Sequence, residues 1–311
     1  MIERTVQKVG GASYVVTLPK EWVKKQGISK GSKVILADGI GGTLIIASAE
    51  PKEPMMARVA HSRNDTEATV RKIFAAYLEG YDVIEVSGEP IIRLRDRKEI
   101  KQFLSRFPGL EIIEEESNRM VLRCVLDPSM LEPQVLFGRM EKLVSSMLED
   151  LLRAIREGNT ELLSLVMDRD DEVDRVYFLL VRVVRKASQD IYLMKRLGVD
   201  PIQLIDLRVG AMLLEVVADR LTELSEIFSS LEFHVSMLEE MGDALIELYK
   251  ISLESVIKRD VSLAVEAKKR AQDLLERLSE RPLSSPEESA AIFALREVVA
   301  RLGDLCDLVS P

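Results

Sequence analysis

The spacing of apolar residues divides the chain into three regions. Up to about residue 50 the apolar runs are short and separated by glycines, whereas residues 55–130 alternate between strand-like and helix-like spacing. From Gln134 onward the spacing is helical throughout. A proline- and charge-rich stretch, Glu50-Pro51-Lys52-Glu53-Pro54, indicates a linker after the first region. We therefore predict three domains, over residues 1–50, 55–130 and 134–311.

The first region predicts two β-hairpins on either side of a short helix. Pro19 suits the first position of a helix and Gly27 its left-handed end, so residues 20–26 should form about two turns. A ββαββ unit of this size buries little apolar surface alone, so we expect a homodimer or packing on the rest of the chain. The strand-like runs are Thr5–Val9, Tyr14–Leu18, Lys33–Ala37 and Thr43–Ala47.

The second region predicts a small α+β domain. Asp65 can cap a helix that ends at Gly80, and a second helix should run from about Arg97 to Phe107 before Pro108-Gly109. No motif with a recognisable chemistry occurs in this region. The predicted strands are Asp82–Val86, Ile91–Leu94, Leu110–Glu114 and Met120–Val125.

The third region predicts long antiparallel helices. The first carries one apolar stripe and ends at Gly158, and a helix capped by Thr160 should then run to about Arg196. Three helices up to about residue 230 are followed by three more, so a helical bundle with an internal duplication is expected. The later helix starts are Asp200-Pro201, Val235 and Ser285-Pro286, and the pattern breaks once more near Asp260. The fold class is thus multidomain and mainly α.

Composition and charge limit the classes of protein. A hydrophobic share of 47% beside a charged share of 31% is typical of a globular chain with charged helical surfaces. The N-terminus has no secretory signal and no run of 18 apolar residues occurs, so we expect a cytoplasmic protein that is not inserted in a membrane. The net charge of −9 means that any contact with nucleic acid must be local.

Basic residues are concentrated at the N-terminus. Residues 1–33 contain seven lysines and arginines against two glutamates. Basic side chains near strand ends and turns can meet phosphates, which makes this stretch a candidate DNA-binding surface. The same residues suit a solubilising surface on a dimerisation module, and the sequence leaves both open. The candidate DNA-binding residues are Arg4, Lys8, Lys20 and Lys24.

Carboxylates are paired one helical turn apart in two predicted helices. Asp170 and Asp174 form the first pair, and Glu215 and Asp219 the second. Antiparallel packing would bring the pairs together, and such oxygen donors suit a divalent or ferric metal ion. The alternative is an ordinary solvated face, neutralised by nearby arginines. Those arginines are Arg169, Arg175 and Arg220.

An enzyme is not expected. His61 and His234 are the two histidines, they lie in different regions, and no nucleophile is arranged near either, so we interpret both as ordinary surface or interface residues. Cys124 and Cys306 lie far apart without a metal-binding spacing and are expected to be buried thiols. A metal-dependent hydrolase would need a base and a substrate pocket that the sequence does not indicate.

The N-terminal residues resemble a known DNA-binding and dimerisation domain. The segment VQKVGGASYVVTLPKEWV at residues 6–23, followed by Gly27-Ile28 and Gly31-Ser32-Lys33-Val34, resembles the AbrB or SpoVT type of swapped-hairpin domain. The resemblance covers residues 1 to about 50. It implies an interlaced homodimer that often binds DNA, although some members only dimerise.

The third region resembles PhoU proteins, which pair two three-helix repeats and commonly hold metal ions through E/DxxxD motifs. Residues 170–174, DDEVD, and residues 215–219, EVVAD, match the motifs of the first repeat. The second repeat departs from the pattern, so a second metal site is not implied. There Lys269 precedes Asp273 by four residues, Ala300 precedes Asp304, and Arg301 follows Glu297.

The domain order resembles archaeal PhoU-related regulators, and the stretch AYLEGYD at residues 76–82 adds to that likeness. The resemblance implies control of phosphate uptake and phosphate homeostasis. We expect a dimeric, DNA-binding transcriptional regulator. The alternative is a metal-binding adaptor that docks on a phosphate transporter or sensor kinase without contacting DNA.

Overall fold

The computed structural model separates into two compact units, Met1–Pro54 and Met55–Pro311. It describes residues 2–39, 42–49, 53–230, 236–281 and 285–309. Predictions that fall outside these residues concern the turn at Ile40 and Gly41, linker residues 50–52, His234 and the helix start at Val235.

The first unit has the predicted ββαββ order. Both hairpins are antiparallel, with Lys8 opposite Tyr14 in the first and Leu36 opposite Ile46 in the second. Gly27 follows the helix with a φ of +64°, the left-handed conformation that glycine adopts without strain. The elements are β1 Gln7–Val9, β2 Ser13–Val15, α1 Lys20–Lys25, β3 Val34–Asp38 and β4 Leu44–Ser48.

This unit has no core of its own among the residues that the structure describes. None of its described residues is buried. The Tyr14 side chain is 70% exposed, and Leu36 and Leu44 are each 60% exposed. The unit therefore leaves large apolar side chains exposed to solvent.

The second unit begins with an α+β part built on one sheet of order β5-β6-β8-β7. β5 and β6 are parallel and the other neighbours antiparallel. Asp65 caps α2 by accepting from the Ala68 N–H, and Gly80 ends it with a φ of +93°, both as predicted. The elements are β5 Met56–Ala60, α2 Thr66–Glu79, β6 Val83–Ser87, α3 Leu94–Leu104, β7 Leu110–Glu115 and β8 Arg119–Cys124.

Two predictions for this part were wrong. Residues 91–94 do not form a strand, because Ile92 is buried in the core and its N–H donates to Ser117 O, which fixes an ordered loop. α3 therefore begins at Leu94, three residues earlier than predicted. The strand β5 was missed, since it follows the linker directly and pairs with β6 across the whole of α2.

The rest of the second unit is helical, with three long helices followed by three more. Asn159, not Thr160, caps α5 by accepting from the Glu161 and Leu162 N–H groups. The predicted continuous helix to Arg196 is interrupted because the Asp190 side chain caps a new helix, α6. The helices are α4 Pro133–Glu157, α5 Thr160–Gln189, α6 Ile191–Arg196, α7 Pro201–Ser230, α8 Ser236–Lys258, α9 Val261–Ser279 and α10 Pro286–Leu305. Short 3₁₀ helices occupy Pro128–Met130 and Cys306–Leu308.

One apolar cluster runs through these helices. α7 packs against α4, α5 and α10, so it lies between the two halves of the bundle. No helix in the described part of the chain has the length and apolarity to cross a membrane. The cluster includes Met140, Met147, Leu151, Leu180, Leu214, Val298 and Leu302.

The α+β part is fixed to the bundle along α5. The guanidinium of Arg182, which is buried, donates to Tyr77 O at 2.6 Å. Lys186 donates to Gly80 O at 3.1 Å and contacts the Asp82 carboxylate. The Phe178 ring packs edge-on against that of Phe74, with centroids 5.0 Å apart. These contacts place the end of α3 beside the acidic stretch of α5.

Candidate cation and nucleic-acid sites

The structure brings the four predicted carboxylates to one place. Asp170 and Asp174 lie on α5, and Glu215 and Asp219 on α7, which packs against it. The charge of Asp219 raises the pKa of Asp170. The charge of Glu215 raises the pKa of Tyr177, which lies two turns further along α5. This order shows that the helices run antiparallel here.

Burial and mutual repulsion make ionisation of these groups unfavourable. Burial raises the pKa of Asp170 to about 6, and the charges of Asp219, Asp174 and Asp171 contribute to the rise. Burial likewise raises the pKa of Glu215 to about 7, and Asp219, Asp174 and Asp170 add to the effect. The pKa values of Asp174 and Asp219 are also raised by burial. The four carboxyls therefore share one electrostatic environment.

Their donor chemistry fits a hard cation, since every donor is a carboxylate oxygen. A bound cation would also offset the repulsion that adds to the effect of burial on the pKa values of Asp170, Asp174 and Glu215. Within the described ranges, however, no three His, Cys, Asp or Glu side chains are placed to hold a metal ion. The donor atoms are thus of the type that a hard cation prefers, but the described side chains do not bring three of them to one point.

The predicted neutralising arginines are engaged elsewhere. Arg169 pairs with Asp150 at 2.9 Å. Arg175 donates to Ser105 O and lies 3.8 Å from Glu172. Arg220 contacts Glu223, although its charge lowers the pKa of Asp219.

Arg106 forms an ion pair with one carboxylate of the cluster. It lies just after α3 in the α+β part, and its Nη2 donates to Asp174 Oδ2 at 2.5 Å. This contact lowers the pKa of Asp174 against the effect of burial. No local pattern indicates the pair, because 68 residues separate the two positions.

An open cleft of about 550 Å³ adjoins this contact, between α2, α3 and α5. Arg106 and Asp171 line it together with Glu67 and Glu99. The cleft gives solvent access to the acidic face of α5 next to Asp174.

The second repeat has an arginine among its carboxylates. Arg301 lies 3.0 Å from Glu297 and 2.5 Å from Asp304, all three on α10. These ion pairs neutralise the acidic groups with a side chain of the same helix. The second repeat, whose sequence departs from the E/DxxxD motif, thus has an arginine paired with two of its acidic residues.

The candidate DNA-binding residues all lie on the surface of the first unit. Lys8 is exposed on β1 opposite Tyr14, and Lys20 and Lys24 are exposed one turn apart on α1. Arg4 is exposed before β1 and donates to Glu3 O at 3.2 Å. No ion pair involves these four side chains among the described residues, so their charges face solvent.

His61 contradicts the interpretation as a surface or interface residue. Its side chain is 1% exposed, with Nε2 3.3 Å from Asp96 Oδ2 and Nδ1 3.0 Å from Thr69 Oγ1. Burial would raise the pKa of Asp96, but hydrogen bonds from His61, Thr66 and Arg95 lower it below its usual range. This polar network inside the α+β part was missed because its members are far apart in sequence.

Two segments of the chain match known family models, one in the helical bundle and one in the β-hairpin unit. Residues 137–228 match the family model of the PhoU domain. Residues 7–55 match the model described as "Antidote-toxin recognition MazE, bacterial antitoxin", an AbrB-like module. The family resemblances predicted from the sequence are confirmed for these two domains.

Solved structures similar to this chain include two PhoU proteins. Against PhoU from Pseudomonas aeruginosa the identity is 13% and the TM-score 0.49, over 58% of this chain and 95% of that one. Against the phosphate transport system regulatory protein PhoU from Streptococcus pneumoniae they are 14% and 0.46, over 57% of this chain and 91% of that one. No curated protein matches the chain.

Proposed function

We propose that the protein is a cytoplasmic, dimeric regulator of phosphate uptake and phosphate homeostasis, and not an enzyme, whose N-terminal unit binds DNA. One observation carries the proposal: a PhoU domain is joined to an AbrB-like unit whose basic side chains are exposed. The net charge of −9 confines DNA contact to this unit. Two copies of the unit would cover the apolar surface that one copy leaves exposed.

DNA binding is tested by fluorescence anisotropy on the promoter of the protein's own gene and on that of a phosphate transporter, across salt concentrations. The test variant replaces Lys8, Lys20 and Lys24 by glutamine. Removing one lysine that neutralises a phosphate should reduce the salt slope by about 0.9, so the triple variant should show a slope smaller by roughly 3 for each protomer bound to DNA.

A charge-matched control replaces Lys25, Lys30 and Lys33, which are also exposed in the first unit. If both variants weakened DNA binding equally, Lys8, Lys20 and Lys24 would not be the specific DNA-contacting residues. Absence of binding by the unchanged protein at low salt would overturn the DNA-binding proposal and favour the adaptor.

We propose also that Asp170, Asp174, Glu215 and Asp219 hold a divalent or ferric cation. Burial raises the pKa values of all four carboxyls and their mutual repulsion adds to the rise for Asp170, Asp174 and Glu215, so a cation would stabilise the charged forms together. Metal content after dialysis against Mn²⁺ or Fe³⁺ is the measurement. Asp170→Asn with Glu215→Gln should lose the cation, while Glu297→Gln in the second repeat should keep it. Equal content in all three proteins would contradict the assignment.

A second candidate function is the adaptor, and an apolar surface on the bundle favours it. Ile202 and Ile205 near the start of α7 and Ile257 at the end of α8 are each more than 60% exposed. A pocket of about 350 Å³ lies beside them, lined by Phe137, Leu207, Val256, Ile257 and Leu308 among others. Such a surface suits an apolar side chain of a partner protein.

The adaptor is tested with a reconstituted phosphate transporter in vesicles. Ile205→Glu and Ile257→Glu should abolish cosedimentation, whereas Leu165→Glu, at another exposed apolar position of the bundle, should not. Cosedimentation that survives the first two substitutions would place the docking surface elsewhere.

A further inference from the structure

An exposed apolar stripe runs along α7. Its five residues recur at alternating intervals of three and four, which is the spacing of the a and d positions of a coiled coil. The first two are 62% and 63% exposed, the fourth is 40% exposed, and the other two are half-buried. These residues form the α7 seam: Ile202, Ile205, Val209, Met212 and Val216.

The α7 seam has a defined face and a defined length. Leu214 and Ala218, on the other side of the helix, are fully buried, so the core uses a different face of α7. Beyond Val216 the same stripe continues as Arg220 and Glu223, which pair with each other and end its apolar part. The seam rises about 21 Å, or four helical turns. One partner helix with apolar residues at the same spacing would match both the face and the length.

The charges beside the α7 seam differ between its two ends. Arg208 flanks the first half, on the side of α5, where its guanidinium lies over an aromatic ring of that helix. Glu215 and Asp219 flank the second half, next to Asp170 and Asp174 of α5. The carboxylates outnumber the cation, so the end of the seam is the more strongly charged one.

We propose that the α7 seam binds one amphipathic α-helix of a partner protein, which runs antiparallel to α7. The proposal rests on the adaptor function and specifies the chemistry of its partner. The partner helix presents apolar residues at its a and d positions and basic residues near its N-terminus, where they meet Glu215 and Asp219. The positive end of its helix dipole then lies beside the same carboxylates. Its C-terminal end reaches Ile202 and Ile205, beside the pocket of about 350 Å³.

A second copy of α7 suits the seam less well than such a partner. Between Ile202 and Val216, α7 carries one arginine, Arg208, and no lysine. The carboxyls at the end of the seam repel each other, as Asp219 and Asp170 do. Several basic side chains on one partner helix offset this repulsion better than a single arginine.

The probes are two fluorescein-labelled synthetic peptides of about three heptads, with leucine at every a and d position. The lysine peptide carries lysine at e and g of its first heptad, the glutamate peptide carries glutamate there, and both have glutamine elsewhere. Full-length protein is titrated into each peptide at pH 8 and followed by fluorescence anisotropy, at peptide concentrations where the peptide is monomeric. The lysine peptide should bind about tenfold more tightly than the glutamate peptide.

Two pairs of variants separate the seam from the overall charge of the protein. Glu215→Gln with Asp219→Asn should remove most of the preference for the lysine peptide, whereas Glu157→Gln with Glu161→Gln, at exposed positions elsewhere on the bundle, should keep it. Met212→Glu should weaken binding of the lysine peptide more than about tenfold, because it places a charge in the apolar seam. Leu165→Glu, at an exposed apolar position of α5, should not.

The orientation is read from a benzophenone at the N-terminus of the lysine peptide. Cross-links identified by mass spectrometry should fall within residues 216–223. Cross-links within residues 201–206 would overturn the antiparallel orientation.

Failure of the seam and failure of the adaptor give different results. Absence of binding by the lysine peptide, or binding that survives Met212→Glu, would overturn the proposal. Self-association that Met212→Glu abolishes, without binding of either peptide, would assign the seam to a second copy of the chain. Binding of the lysine peptide by a protein that does not cosediment with the transporter would support the seam and remove the adaptor function.

Discussion

The guanidinium of Arg182 lies over the ring of Tyr77, 4.9 Å from its centroid, and donates to the carbonyl oxygen of the same residue. Arg182 of α5 thus donates to a carbonyl oxygen of α2 and also contacts the ring of the same tyrosine. Together with Lys186, it makes the α+β part and the bundle a single packed unit.

Arg182→Met should lower the free energy of unfolding of this unit by about 2 to 4 kcal/mol, because it removes both the charged donor to the Tyr77 carbonyl oxygen and the cation above the Tyr77 ring, and leaves that oxygen with the Gly80 N–H alone. Chemical denaturation followed by circular dichroism measures the change. Arg185→Met, at an exposed position one turn away, should change it by less than about 0.5 kcal/mol. Similar decreases in both variants would contradict the role of the Arg182 contact.

Glu215→Gln should stabilise the metal-free protein in a pH-dependent way. The pKa of Glu215 in the folded state is raised from 4.5 to about 7, so folding takes up a proton between these values and stability falls as pH rises. The destabilisation is fully present above about pH 7 and absent well below pH 4.5. Removing the charge should therefore stabilise by roughly 1 to 3 kcal/mol at pH 8 and have little effect at pH 4.

Denaturant unfolding in the presence of a chelator, at both pH values, measures this difference. Glu226→Gln, an exposed position on the same helix, is the control. A stabilisation by Glu215→Gln that is the same at both pH values would show that removal of the charge is not its cause.

Asp96→Ala should lower the free energy of unfolding by about 2 to 4 kcal/mol at pH 7, because it leaves His61 buried without its acceptor. The pKa of Asp96 is lowered by folding, so its stabilising effect is present above 3.8 and disappears as pH falls through the folded value. The variant and the unchanged protein should converge in acid. Glu99→Ala, an exposed change on α3, should leave stability nearly unaltered. A deficit that persists unchanged in acid would exclude the charge of Asp96 as its origin.

Leu36→Glu with Leu44→Glu should weaken self-association by at least about a hundredfold. A leucine that becomes buried in the proposed dimer contributes roughly 1.5 to 3 kcal/mol to its stability. Sedimentation velocity over a range of protein concentrations measures the dimer. Ile257→Glu makes the same change of chemistry on the bundle and should leave the dimer intact. If Ile257→Glu produced monomers and the leucine variant did not, the bundle would be the interface.

Local signals in the sequence predicted most of the fold. Asp65, Gly80, Gly158 and Ser285 act at their own helix ends, where a single side chain or a left-handed φ decides the boundary. Asn159 competed with Thr160 for the same cap one residue apart, a difference that spacing does not resolve.

Contacts distant in sequence account for what was missed. β5 pairs with β6, which follows α2 in the chain. His61 pairs with Asp96, a carboxylate 35 residues away. The carboxylate pairs of the site could be predicted, because each follows helical spacing. Arg106 could not, because its position opposite Asp174 depends on how α3 docks on α5.

Arg301 has a consequence for any response to metal supply. A cation that is part of the polypeptide is made with every copy and does not dissociate under chelation or starvation. If the proposed cation site exists, the two halves of the bundle would differ: the first could gain or lose an ion, and the second would keep the counter-charge that Arg301 supplies. The second half would then keep the same charge while the charge of the first half changed with the bound ion.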